Sequence, residues 1–445
     1  MNRGDERPTG WLEATIAGGH VNIVSVARVL GPQFEEARLV SAVKATQHRH
    51  FNLRIRISPD GRSLVSADSS VVRVAQASVG SAAEFETLLG QMQNEALSPD
   101  LDSQIDLPWL VEAVFVRELN ATMLCVAIHH AIADGTSVYV ITHDILSHYA
   151  DPSTPRFKMQ LPPLPSVEAL SLTAFGADDL KDDALLAKLV AARSNWKPTL
   201  PSQFLPSSDS RVPNGFLLRD ISVERMVRLR NKCHVENVTV GSLLVAALHF
   251  AVARVVAKET SGGIQFPFKF VHDVDANLRR RLGGSVDLGD EHVGLLIGMM
   301  AIDVPLTSTS ETIFGFAQKV KAWFGKELDA NTPHKYHFAN KRFDAECEPP
   351  ATRVSDLNFS NVGVYPFQTK YGDHSLSHFY EVGSWCPFGG THVFLINTVA
   401  GRMCLSWVFE ETPVNRSVAC QLMDGVVGLL EEVCDGPDVV LADLI

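Results

Sequence analysis

Apolar and polar positions along the first part of the chain follow two periods, one typical of strands and one typical of helices. Val21–Leu30 is apolar and rich in β-branched residues, which favours a strand, whereas residues 33–47 repeat their apolar positions at helical spacing. Leu53–Ile57 alternates strictly before the turn at Pro59–Gly61 and therefore predicts a hairpin. The predicted strands here are 21–30, 53–57, 110–118 and 121–128, and the predicted helices are 33–47, 82–96 and 138–149.

A proline-dense segment separates this part from a second set of elements. Residues 151–165 contain five prolines, a density that stops regular structure and marks a crossover. The predicted strands beyond it are 215–221, 264–271, 294–304, 356–364, 391–399 and 402–410, and the predicted helices are 178–196, 223–232, 239–258, 311–329 and 415–434. Because both parts mix hairpins with helices, we predict an α/β protein with two lobes, each a mixed β-sheet flanked by helices. We place the N-terminal lobe at residues 1–165 and the C-terminal lobe at residues 166–445.

The amino-acid composition disfavours several classes of protein. Acidic residues outnumber basic ones by 51 to 39, a net charge of −12 that disfavours nucleic acid and anionic membranes as partners. Val240–Val256 is interrupted by His249 and Arg254, so we expect a buried helix there and no transmembrane segment. Residues 1–8 are polar and do not resemble a secretion signal, so we expect a cytoplasmic protein. The seven cysteines form no CxxC pair, so we expect reduced thiols and no metal site.

The strongest candidate for chemistry is His129-His130-Ala-Ile-Ala-Asp134-Gly135, between an apolar strand and a helix. Consecutive residues at a strand end point to opposite faces, so one histidine can face a cleft while the other packs inward. Histidine is the side chain best suited to accept a proton near neutral pH. We expect Gly135 to permit the backbone conformation of a tight turn, and Thr136 or Ser137 to cap the helix. The alternative is two surface histidines beside an ordinary turn.

This His-His-x-x-x-Asp-Gly motif resembles that of the chloramphenicol-acetyltransferase-like acyltransferases. The family includes condensation domains of nonribosomal peptide synthetases, plant acyltransferases of the BAHD group, and polyketide-associated and fungal alcohol acyltransferases. Four further segments are similar in the same order along the chain: Ala45–Arg56, Val240–Val256, Val274–Arg279 and Phe359–Gly363. The plant group carries an Asp-Phe-Gly-Trp-Gly segment, to which Trp385–Gly390 is only weakly similar. The resemblance therefore favours the polyketide-associated or fungal branch. It implies two chloramphenicol-acetyltransferase-like lobes with the active-site channel between them.

The resemblance also implies a role for each residue of the motif. His130 would act as general base on an acceptor hydroxyl or amine, which then attacks a thioester carbonyl without an acyl-enzyme. The absence of a Gly-x-Ser-x-Gly elbow agrees with this expectation. Asp134 would pair with an arginine of the second lobe, and Arg279 is the first candidate. His129 and Gly135 would support the motif, His129 as a packed, hydrogen-bonded side chain.

Other polar residues are weaker candidates. Three could bind substrate or only shape strand ends, namely Asn358, Asn361 and Gly363. Arg281 is the second candidate for the partner of Asp134. The segment His272-Asp273-Val-Asp275 resembles a metal cluster in residue type only, because strand alternation separates its side chains. Four histidines lie in segments without a clear pattern, and we expect them at the surface: His334, His337, His374 and His378.

These expectations combine into one leading hypothesis, an O-acyltransferase of natural-product biosynthesis. It would move an acyl group from an acyl thioester, either acyl-CoA or an acyl-carrier protein, to a hydroxyl of a small-molecule acceptor. No permanently bound cofactor is expected, because the CoA-bound or phosphopantetheine-bound donor is a co-substrate, and a polyketide synthase is a further expected partner. Two alternatives stay open: a stand-alone condensation enzyme that joins carrier-bound substrates through an amide or ester, and a non-catalytic carrier-protein-binding module.

Overall fold

Two six-stranded sheets, a three-stranded sheet and flanking helices make up the described part of the protein. The computed structural model describes residues 6–67, 70–95, 107–194, 196–201, 213–259, 263–282, 288–347, 355–384 and 390–445. Both large sheets combine parallel and antiparallel neighbours. The predicted α/β class, with two mixed sheets flanked by helices, is therefore confirmed.

Strands are numbered here in chain order and given sheet by sheet, each from edge to edge. The first large sheet contains β12 (Lys370–Tyr371), β13 (His374–Gly383), β2 (Asn22–Leu30), β7 (Ala121–His129), β6 (Trp109–Val116) and β5 (Arg73–Val79). The second large sheet contains β10 (Ile297–Ile302), β9 (His272–Asn277), β11 (Ser355–Val364), β14 (Gly390–Val399), β15 (Arg402–Glu410) and β8 (Asn214–Ile221). The small sheet contains β1 (Glu6–Pro8), β4 (Ser63–Ser66) and β3 (Ile55–Ile57).

Helices cover these sheets and are also numbered in chain order. Those up to residue 194 are α1 (Trp11–Gly18), α2 (Glu36–Arg49), α3 (Ala82–Glu95), α4 (Gly135–Ala150), α5 (Val167–Phe175), α6 (Ala177–Leu180) and α7 (Asp183–Ser194). Those beyond it are α8 (Val223–Val235), α9 (Val240–Glu259), α10 (Ile313–Asp329), α11 (Thr332–Glu346) and α12 (Pro413–Asp435). Most predicted elements are present with shifts of a few residues at their ends.

Two strands of the second half, β12 and β13, belong to the first large sheet. β13 pairs in antiparallel register with β2, placing Tyr380 opposite Val26 and Glu381 opposite Ser25. The sheets therefore do not divide at residue 165, the boundary predicted for the lobes. The pairing joins residues more than 340 positions apart, and no local sequence pattern encodes a contact of that range.

Several segments of the second half differ from the predicted elements, and α5, β12 and β13 were not predicted at all. Residues 264–271 are not a strand, although Phe268 forms an isolated bridge to Leu306, and the strand β9 begins at His272 instead. The helix α11 was not predicted, because histidine and asparagine side chains lie among the apolar residues of its buried face. His334 and His337 lie on that face and are buried, and so is His374 on β13, so the predicted surface position of these three is wrong. His378 is half-buried.

The most apolar helix of the described residues is a core helix. By length and composition α9 could span a membrane, but 72% of its most apolar window is buried inside the fold. It packs against α10 and α12, and His249 in its centre is buried beside His272 of β9, with 3.3 Å between their Nε2 atoms. The predicted buried helix at Val240–Val256 is confirmed.

Candidate active site

The histidine motif lies where a fully buried strand ends and a buried helix begins. Every residue of β7 is buried, and its apolar, β-branched sequence suits the centre of a sheet covered on both faces. After His129 the chain turns for five residues, and α4 begins at Gly135. Asp134 is the N-cap of this helix and accepts a hydrogen bond from the backbone N–H of Ser137 at 2.8 Å. The prediction that Thr136 or Ser137 caps the helix is wrong by two or three residues.

His130 is held in one orientation by a backbone carbonyl. Its Nδ1 lies 2.8 Å from the carbonyl oxygen of Ala133, and the side chain stays partly exposed. A carbonyl can only accept a hydrogen bond, so Nδ1 carries the proton in this contact. In the neutral imidazole the other nitrogen, Nε2, then has a free lone pair. This tautomer is the one that a general base acting through Nε2 requires.

His129 packs in the opposite direction. The backbone N–H of Ala131 donates to its Nδ1 at 3.1 Å, and the ring lies edge-on to that of His20. Burial, with smaller contributions from His20 and His130, lowers the pKa of His129 to about 3. The ring is therefore neutral at physiological pH, and it fills space beneath the loop that carries His130.

Asp134 and Arg279 form a buried bidentate ion pair between the two halves of the chain. Arg279 Nη1 donates to Oδ2 at 2.8 Å and Nη2 donates to Oδ1 at 2.9 Å, and both side chains are almost fully buried. The carboxylate also accepts from the backbone N–H of Leu296 and from the hydroxyl of Ser137. Arg281, the second candidate, lies near His334 instead.

Gly135 is required for space rather than for an unusual backbone angle. A Cβ atom at this position would lie 2.7 Å from Cγ2 of Val362 and 3.1 Å from Oε2 of Glu381. Its φ angle is not in the left-handed region, so the predicted conformational reason for glycine is wrong. Because Val362 and Glu381 belong to the second half, this close approach brings β11 and β13 against the start of α4.

The three substrate-binding candidates lie on β11, near this contact. Asn358 Nδ2 donates to Oδ1 of Asp275 at 3.1 Å. The Oδ1 atom of Asn361 accepts from the backbone N–H of Gly363 at 3.1 Å, across an irregularity in the strand. Gly363 has a φ of +94°, a conformation that favours glycine. Its carbonyl accepts from the hydroxyl of Tyr139 at 3.3 Å. Asn361 and Gly363 thus shape the strand end, whereas Asn358 orients a carboxyl group.

Two further polar side chains lie where the halves meet, and neither was predicted. Asn277 Nδ2 donates to Oγ1 of Thr136 at 3.0 Å, which attaches the end of β9 to the first turn of α4. Glu381 is buried next to Gly135, and its Oε1 has no hydrogen-bond partner among the described residues. In the sequence, Glu381 is a single acidic residue in the segment Phe-Tyr-Glu-Val-Gly, a signal too weak to separate it from a surface position. Among the described residues, no group of three His, Cys, Asp or Glu side chains could hold a metal ion.

The buried Glu381 predicts a pH dependence of stability. Burial, and secondly the charge of Asp134, raise the pKa of Glu381 from 4.5 to about 8. Between these two pH values the folded state keeps a proton that the unfolded state releases, so the free energy of unfolding falls as pH rises from 4.5 to 8. We expect Glu381→Gln to remove this slope in urea unfolding measured across that range. The exposed Glu224→Gln is the control and should keep it; parallel curves for wild type and Glu381→Gln would contradict the prediction.

Comparison with known proteins identifies the family. The model of the condensation domain matches residues 15–262, more than half of the chain. No curated protein sequence matches. Among solved structures, polyketide synthase associated protein 5 from Mycobacterium tuberculosis is similar over 97% of this chain and 99% of its own, with a TM-score of 0.69 at 15% identity.

Two other solved structures share the fold. The NRPS cyclization-docking bidomain EpoB from Sorangium cellulosum has a TM-score of 0.69 at 16% identity, covering 98% of this chain and 86% of its own. The trichothecene 15-O-acetyltransferase of Fusarium sporotrichioides has a TM-score of 0.69 at 10% identity, covering 96% and 95%. At these identities the structures establish a shared two-lobed fold, and the family match extends across the histidine motif. The chain belongs to the condensation-domain family.

Proposed function

We propose that the protein transfers an acyl group from an acyl thioester to a hydroxyl of a small natural-product acceptor, with His130 as the general base. The observation that carries the proposal is the hydrogen bond from Nδ1 of His130 to the carbonyl of Ala133. It leaves the Nε2 lone pair available on a partly exposed ring at the meeting point of the two halves. A base in this state accepts a proton without first having to lose one.

The proposed reaction proceeds by direct transfer between two bound substrates. Nε2 of His130 takes the proton of the acceptor hydroxyl while the hydroxyl oxygen bonds to the thioester carbonyl carbon. The tetrahedral intermediate then collapses, the carbon–sulfur bond breaks, and the departing thiolate receives the proton from Nε2. No acyl-enzyme forms. Proton transfer by a positioned base typically contributes about 10²–10⁴-fold, and orientation of both substrates supplies much of the remainder.

The ion pair of Asp134 and Arg279 has a structural role in this proposal. Its atoms are buried and engaged with each other and with backbone groups, so neither side chain is available to substrate. The pair instead fixes the loop before α4 against the second half. Asn277 and Thr136 add a second attachment at the same place. Together they hold His130 opposite β9 and β11.

A stand-alone condensation enzyme is the second candidate, favoured by the family model that matches. Such an enzyme would use the same base on an amine or hydroxyl while both substrates are carried on phosphopantetheine arms. The net charge of −12 offers no general attraction for the phosphates of CoA. Both types of donor therefore belong in the test.

The discriminating experiment is a two-way assay of the purified chain. Acyl-CoA and acyl-carrier-protein donors of several chain lengths are combined with a set of alcohols and a set of amines, and products are detected by mass. Ester formed from a free alcohol supports the proposed O-acyltransferase. Amide formed only from carrier-bound substrates supports the condensation enzyme. Carrier-protein binding with no turnover of any thioester would support a non-catalytic module and overturn the proposal.

A further inference from the structure

Asp275 is a carboxyl group of the second half that faces the loop of His130. It lies on β9 two residues before Asn277, whose side chain bonds to Thr136 at the start of α4. Side chains two positions apart on a strand lie on the same face, so Asp275 lies on the face of β9 that meets the histidine loop. The two groups are close enough that a charge on His130 lowers the pKa of the Asp275 carboxyl.

The adjacent strand holds this carboxyl in place. β11 runs parallel to β9, with Asn358 opposite Asp273 and Phe359 opposite Val274. Asn358 donates to Oδ1 of Asp275 at 3.1 Å, and the hydroxyl of Ser360 also bonds to the carboxyl. On the other side, the residue of β10 opposite Asp275 is the apolar Met299. The carboxylate therefore has neutral hydrogen-bond donors on one side and no cationic side chain from β10 on the other.

Among the residues that the structure describes, the other charged and titratable groups near this position are His129, Asp134 with Arg279, and Asp273. His129 is neutral, and Asp134 is paired with Arg279. Asp273, two positions earlier on the same strand, accepts a hydrogen bond from Tyr336 at 2.8 Å. Burial raises the pKa of Asp275 to about 6 against the lowering effect of its hydrogen bonds and of His130, and the carboxyl of Asp273 adds a small further raising effect. At pH 7 to 8 the carboxyl is ionised for most of the time.

We propose that Asp275 is a positioning residue for the reaction, a carboxylate that stabilises the imidazolium formed when His130 takes the acceptor proton. The inference rests on the proposed function of His130 and adds a second group to that site. The electrostatic effect of the two groups on each other is reciprocal. A positive charge on His130 favours the ionised form of Asp275, and the Asp275 carboxylate therefore favours the positive charge on His130 by the same amount. Hydrogen bonds from Asn358 and Ser360 hold the carboxylate in place on β9.

The test is Asp275→Asn, which keeps the shape and removes the charge. We expect kcat to fall about 10-fold to 100-fold with little change in KM. This is less than the loss of about 10²–10³-fold that is typical of removing a direct oxyanion-hole donor, because Asp275 acts through His130. The acidic limb of the pH profile of kcat/KM should move to lower pH, by about one unit, because the protonated base has lost its negative neighbour. Asp275→Glu keeps the charge and should leave the limb near its wild-type position.

Asp273→Asn is the matched control, since it removes a carboxylate from the same strand and the same face. Its amide oxygen can still accept from Tyr336, and we expect an unchanged acidic limb. Equal losses of kcat in both asparagine variants, with the limb unmoved in both, would show a structural role and overturn the proposal.

A readout independent of turnover separates this proposal from the function itself. In histidine-labelled protein, the NMR signal of His130, assigned by its loss in His130→Ala, is titrated with and without Asp275→Asn. The midpoint should move to lower pH in the variant. An unmoved midpoint overturns the role of Asp275 whether or not the protein transfers acyl groups. A moved midpoint together with no ester from any donor leaves the electrostatic role supported and contradicts only the proposed function.

Discussion

His130→Ala is expected to lower kcat for acyl transfer about 10²–10⁴-fold while KM for donor and acceptor changes little. Alanine removes Nε2, the only atom of this side chain that the bond to Ala133 leaves free to accept a proton. Substrate positioning depends on other groups, so a residual rate above that of the uncatalysed reaction should remain. Initial rates at saturating acyl donor, with product detected by mass, measure the effect.

The matched control is His48→Ala, which removes the same side chain from the exposed end of α2. It should retain wild-type kcat. Because His130→Ala also loses one hydrogen bond within the loop, thermal unfolding of both variants shows whether each is folded under the assay conditions. A folded His130→Ala protein that turns over as fast as wild type would show that another group is the base.

The elements that could be predicted are those whose buried residues form a local pattern of apolar positions in the sequence. The apolar run of β7 and the helical spacing of α4 each identify an element, and together they locate the motif between them. The helix α11 was missed because polar side chains share its buried face with apolar ones: His334 bonds to the hydroxyl of Ser171, and His337 bonds to the carbonyl of Ile297. Polar side chains with buried partners are indistinguishable in sequence from solvated ones.

For single residues of the site, too, the sequence predicts only what a local pattern or a family resemblance indicates. Asp134 and Arg279 could be connected because both lie in segments that resemble a known family, and the structure contains that ion pair. In the sequence, Asp275 stood out only as one member of a segment that resembles a metal cluster in residue type. Its position relative to His130 depends on how β9 is attached to α4, which the sequence does not show. Glu381 reaches the site through the pairing of β13 with β2, a contact that spans most of the chain. Neighbours of this kind follow from topology, and no spacing in the sequence encodes them.

Arg279→Met is expected to lower the free energy of unfolding by about 3–5 kcal/mol at pH 7, because it leaves the carboxylate of Asp134 buried without a counter-charge. Three donors would remain on that carboxylate, from Ser137 and Leu296, which is too few to replace a bidentate guanidinium. The arginine also bonds to the carbonyl of His292, so the segment entering β10 loses an anchor. Urea unfolding followed by circular dichroism measures the change.

The pH dependence of this loss distinguishes the ion pair from simple packing. Burial alone would raise the pKa of Asp134. The charge and hydrogen bonds of Arg279, together with the backbone N–H groups of Leu296 and Ser137, outweigh burial and hold this pKa below its ordinary value of 3.8. A carboxyl group whose folded pKa is lowered contributes stability above its unfolded pKa and loses it as pH falls through the folded one. Without Arg279 the burial of Asp134 raises its pKa, so the gap in unfolding free energy between wild type and Arg279→Met should be largest near neutral pH and should narrow as pH falls to about 4 and below. Arg280→Met, which removes a surface ion pair with Asp290, should unfold like wild type at every pH. If Arg279→Met were as stable as Arg280→Met, the buried pair would not be what joins the two halves at the histidine loop.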